Sequence, residues 1–133
     1  MSKVEGENTE KITINLGLVD LGQIDLLVQE GFYANRTDFI RSAIRTQLAA
    51  RSEALDQTAA RRTLTLGSCV YRGRDLEALL AAGEMVHIRV LGLAALADDV
   101  TPELARATIA SVEVLGAFRA PAAVKAALAG RIV

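Results

Sequence analysis

One run of six residues limits the possible folds of this chain more than any other. In Lys11 to Leu16 the side chains alternate without a fault: Ile12, Ile14 and Leu16 face one way, Lys11, Thr13 and Asn15 the other. A period of two is that of a half-buried β-strand. Helical spacing follows at once, and the next strand-like run begins only at Thr63. A lone strand leaves a row of backbone donors and acceptors unpaired, and even an isolated hairpin is marginal in water. A second strand must come from outside the chain.

The flanking residues suggest how. Residues 1–9 are polar and acidic, without periodicity, and read as a flexible tail. After the strand, Leu21, Ile24, Leu27 and Val28 share one helical face, Asp20 and Gln23 can form a capping box, and Gly31 stops the helix. Asn35 is a good N-cap for a second helix, with Asp38 three residues on. Phe39, Ile40, Ala43, Ile44 and Leu48 form its apolar stripe, with Arg41 and Arg45 on the opposite side. Two copies of Lys11–Leu16 paired antiparallel would rest Ile12, Ile14 and Leu16 on four helices, sharing a dimer core with Ile40 and Ile44. The polar face of the ribbon is then doubled by symmetry and narrow enough for a DNA major groove, where β-ribbon readers dock.

Residues 12 to about 47 resemble the ribbon-helix-helix family of bacterial transcriptional regulators, in particular its CopG-like branch. The matching pieces are the strand KITINL, the first-helix ending IDLLVQEGFY and the second-helix opening NRTDFIRSAIR. The resemblance implies that Lys11, Thr13 and Asn15 reach base edges. Their chemistry suits this: Lys donates to guanine, Asn pairs with adenine, and Thr serves either or touches a thymine methyl. It implies that Asn35, Arg36 and Thr37 hold a phosphate at the start of the second helix, where amides and dipole attract an anion. Taken without the helices around it, a polar strand face is ordinarily just solvated, and Asn35 caps its helix with or without DNA. Tyr33 reads as a packing residue at the turn.

Residues 51–62 are rich in helix formers and read as a helical linker. From Thr63 a different pattern starts. Three strand-like stretches, TLTLGS, HIRVLGL and VEVLGAF, each carry a Leu-Gly pair, at Gly67, Gly92 and Gly116, and each precedes a helix-like stretch. Spacings of 25 and 24 residues fit a stacked, solenoid-like strand-helix repeat. An ordinary small βαβ domain with accidental spacing is the other reading. The last repeat is strongly apolar and does not look like a polar cap, so residues 63–133 are expected to self-associate.

The expected fold class is α+β: an obligate-dimer ribbon-helix-helix unit over residues 10–50 and about three strand-helix repeats over 63–133. Hydrophobic residues are 51% of the chain but aromatics only 4%, so the core must be aliphatic. A single cysteine, Cys69, excludes an internal disulfide. A single histidine, His87, argues against a metal site. No nucleophile sits beside a base and no glycine loop could cradle phosphate, so neither enzyme activity nor a cofactor is expected. No apolar run is long enough for a membrane span, and a cytoplasmic, nucleoid-associated protein is expected. The partner is double-stranded DNA, yet residues 1–50 hold five basic side chains against seven acidic ones. Non-specific affinity comes largely from phosphate neutralisation, so one dimer should bind weakly and several dimers should share an operator. A repressor is the leading expectation. The alternatives are an autoregulatory antitoxin and a DNA-organising scaffold.

Overall fold

The structure, a computed structural model, describes residues 8–133, so the expected tail lies almost wholly outside the described residues. It is α+β, with helices and a three-stranded parallel sheet. The chain divides into two compact units, one over Thr9–Thr58 and one built on Ala59–Val133.

The N-terminal unit contains α1 (Leu18–Gln29), α2 (Arg36–Ala50) and most of α3 (Ser52–Arg61). On α1 the buried or half-buried apolar residues are those of the expected stripe, Leu21, Ile24, Leu27 and Val28, and Asp25 beside them is half-buried too. Its start differs from expectation. The Asp20–Gln23 capping box does not form, because the helix already begins at Leu18 with Gly17 as an N-cap that gives no side-chain bond. Leu21 N donates to Gly17 O at 3.0 Å, so Asp20 lies within the first turn, where its charge suits the positive helix end. The other end is a Schellman motif: Gly31, at φ +85°, donates to Val28 O, and Phe32 N donates to Leu27 O. At α2, Asn35 Oδ1 accepts from Asp38 N at 2.8 Å, and Asp38 Oδ2 accepts from Ala34 N at 2.9 Å. The turn between the helices is packed by Tyr33 edge-on against Phe39, with ring centroids 5.0 Å apart.

The expected strand at Lys11–Leu16 is not a strand within one protomer. Residues 9–17 belong to neither helix nor sheet. A strand is defined by its ladder, and among the described residues every ladder lies in the other unit, between the three strands and in a single bridge from Val112 to Ile132.

In the C-terminal unit strands and helices alternate: β1 (Thr65–Tyr71), α4 (Gly73–Ala82), β2 (Val86–Leu96), α5 (Pro102–Thr108), β3 (Ile109–Arg119) and α6 (Ala122–Ala127). The strands pair in chain order, all parallel. Helices α4, α5 and α6 also neighbour one another in chain order. The core lies between the two layers and includes Leu76, Ile88, Val90, Ala94, Leu96, Ile109, Val112, Val124 and Leu128. It is aliphatic, as the shortage of aromatic residues requires.

The three Leu-Gly pairs line up across the sheet. Gly67 stands opposite Gly92, and Gly92 opposite Gly116. Gly92 and Gly116 have φ of +140° and +119°, a region unfavourable to other residues. A Cβ on Gly92 would come within 2.2 Å of Gly67 O, and one on Gly116 within 2.0 Å of Gly92 O. Each backbone therefore fits against the glycine of the strand before it, which explains why these positions recur in the sequence. Helix ends are also closed locally. Thr101 caps α5 through Leu104 N, and Arg131 donates to the carbonyls of Arg106 and Ile109.

Candidate nucleic-acid interface

Lys11, Thr13 and Asn15 alternate with Ile12, Ile14 and Leu16, and all six side chains are exposed in one protomer. The apolar ones matter most: Ile12 is 75% exposed, Ile14 60% and Leu16 38%. Ile44 and Leu48 on α2 are exposed as well, and Ile40 is half-buried. Among the described residues of this unit, Ile24 alone is a fully buried hydrophobic. About fifty residues with one buried aliphatic side chain do not hold a fold by themselves. Burying an Ile or Leu contributes roughly 1.5–3 kcal/mol, so the uncovered row is a large unrealised driving force for association.

The start of α2 carries the second set. Asn35 uses its side chain on the Asp38 amide. Arg36 forms a two-pronged ion pair across to α1, with Nε to Asp25 Oδ1 at 2.7 Å and Nη2 to Asp25 Oδ2 at 2.8 Å. The hydrogen bonds from Arg36 hold the Asp25 carboxyl below its ordinary range, and those same bonds raise the guanidinium. Both side chains remain well exposed, so the pair orients more than it stabilises. Sequence reasoning missed Asp25. It sits next to Ile24 on α1, eleven residues from Arg36, and no short-range spacing connects the two.

Thr37 lies in a groove of about 600 Å³ together with Asn35, Asp38, Arg41, Ser42, Arg45 and Thr46. Arg41 and Arg45 thus share a groove with three hydroxyls. The sequence did hold a signal for this, since Thr37, Arg41 and Arg45 recur every four residues and fall on one helical stripe. The structure therefore brings Asn35, Arg36 and Thr37 together at one helix start. It leaves Lys11, Thr13 and Asn15 on a separate segment.

A sequence model of the ribbon-helix-helix transcriptional regulator family matches residues 7–125. The match continues through the C-terminal sheet, well beyond the stretch whose resemblance was legible in the sequence. No curated protein and no solved structure matches the chain.

Proposed function

This chain belongs to the ribbon-helix-helix transcriptional regulator family, and on that premise we propose that it is a sequence-specific DNA-binding repressor acting through a dimeric β-ribbon. The family implies dimerisation and DNA binding. In this reading two Lys11–Leu16 segments pair antiparallel, and Ile12, Ile14 and Leu16 close a joint core with Ile40 and Ile44 of both chains. The observation that carries it is the alternating exposed segment, whose three aliphatic side chains lack cover beside an N-terminal unit almost devoid of its own core.

Pairing satisfies the inner edges of the ladder and leaves Lys11, Thr13 and Asn15 on a polar outer face that enters the major groove. Each good contact to a base edge discriminates by about 1–3 kcal/mol. The start of α2 supplies register. With the Asp38 amide engaged by Asn35, the amides of Arg36 and Thr37 and the positive helix end are aimed at a phosphate. Arg36 has further N–H groups beyond the two directed at Asp25, so it can orient on α1 and still donate to a phosphate oxygen. Arg41 and Arg45 add positive charge along the same groove.

The C-terminal unit, in this reading a solenoid-like stack of three strand-helix repeats, joins DNA-bound dimers into higher oligomers. Two features support it: β1 is an edge strand whose side chains are mostly exposed, and the N-terminal unit has too little positive charge for strong binding by a lone dimer. The test is selection of genomic fragments by the full-length protein, followed by footprinting. A few sites, each protected over adjacent dimer footprints, support the proposal. Uniform binding to all fragments, or none, rejects it.

A further inference from the structure

The C-terminal sheet has one face that its helices do not use. The helix layer packs on Ile88, Val90, Ala94 and Leu96 of β2. The alternate residues form rows across the three strands on the opposite face: Leu66 beside Leu91 and Leu115, then Ser68 beside Leu93 and Ala117. Leu66 is 74% exposed, and Leu115 is exposed too. Parallel sheets are nearly always covered on both faces, and a ladder of leucines is not a surface that water solvates well. Both ends of this face carry charge: Glu113, held by both Arg62 and Arg89, at one, and Arg119, level with Ala95, at the other.

We infer that this face packs against the same face of the other chain in the dimer; the inference rests on the dimer proposed above. Size decides the occupant. Three strands at ordinary spacing and two apolar rows span roughly 14 Å by 14 Å, or about 200 Å² per copy. The total is well below the ~1,200 Å² at which free proteins form specific complexes. A partner arriving from solution would not stay. A second copy tethered through its own N-terminal unit is present at an effective concentration of about millimolar, for which a small apolar contact is sufficient. A twofold axis that runs the facing strands antiparallel centres the leucines on each other and keeps the two Arg62–Glu113–Arg89 rows at opposite ends. The edge of β1 stays open for contacts between dimers.

The test uses the full-length chain with Cys69→Ser and Leu93→Cys, a position on the central strand, and a thiol cross-linker spanning about 10 Å, the usual separation of packed sheets. Leu91→Cys, one row away, serves as a second variant should the first fold poorly. The expected result is a covalent dimer whose yield is unchanged on dilution, and which falls about tenfold when Leu66→Asp and Leu115→Asp are added while light scattering still reports a dimer. No cross-link at either position, a yield that declines with dilution, or indifference to the two aspartates would overturn the inference. A monomeric mass before cross-linking would instead remove the dimer itself, and this inference with it.

Discussion

The two units of this chain keep their hydrophobic residues in opposite ways. In the C-terminal unit every apolar side chain of the core is enclosed by strands and helices of the same chain, down to zero exposure at Leu76, Ile109, Val112 and Leu128. In the N-terminal unit a comparable set of aliphatic residues is laid out with equal regularity, yet among the described residues only Ile24 is fully buried, Leu21, Leu27, Val28 and Ile40 are half-buried, and Ile12, Ile14, Leu16, Ile44 and Leu48 are left in the open. Regular patterning therefore does not show whether a core is closed within one molecule. What differs is whether enough elements lie nearby in sequence to cover it. Three strands and three helices suffice, whereas α1, α2, most of α3 and one extended segment do not.

This contrast predicts that the units respond to different perturbations. The largest effect belongs to Gly92→Ala. The added methyl would overlap the Gly67 carbonyl and the residue would be held at a φ of +140°. A loss of roughly 3 kcal/mol or more is expected in the C-terminal unit. Its thermal transition should fall sharply at any protein concentration. A melting temperature within a degree or two of wild type would show that the glycine ladder is not structurally required.

Ile14→Asp should strike the other unit and spare this one. A charge placed in the joint core opposes pairing twice, once from each chain. The solution mass should halve and DNA affinity should drop about 100-fold or more, while the C-terminal transition keeps its wild-type midpoint. An unchanged mass would remove the dimeric ribbon. Lys11→Ala lies one residue outside that core, so it should leave both transitions alone and weaken operator binding about tenfold. If stability fell along with affinity, Lys11 would be a folding residue.

The smallest effect concerns the ion pair between α1 and α2. Because Arg36 holds Asp25 below its ordinary value of 3.8, the pair adds stability that is fully present above that pH and is lost as pH falls through the lowered value. Asp25→Asn should therefore flatten the acid limb of unfolding of the N-terminal unit below about pH 4, with little change at neutral pH. An identical acid limb in wild type and variant would mean that the pair has no energetic role.

Much of this architecture was legible in advance. The helical stripe of α1, the Gly31 stop, the Asn35 cap and the positions of the three C-terminal strands all follow from patterns within a dozen residues, since helix faces, caps and strand alternation are local properties of a chain. Of the candidate site, the cap by Asn35 followed from local pattern, with Arg36 and Thr37 in the first turn of α2 behind it. The start of α1 was misplaced by about a turn because Gly17 offers no side chain to announce a cap. The tie between Arg36 and Asp25 depends on how two helices cross and which polar side chains then meet.

The amino-acid order alone thus set down apolar patterns in both halves of the chain, the alternation of Lys11, Thr13 and Asn15 with aliphatic residues, and a glycine recurring every 24 or 25 residues. Folding in three dimensions added that the recurring glycines stack carbonyl against α-carbon in one parallel sheet, that one core closes and the other stays open, and that a leucine face is left bare. The reason is distance. Periodicity is written between neighbours, but burial depends on which distant elements come to lie on top of them, and no spacing rule along the chain records that.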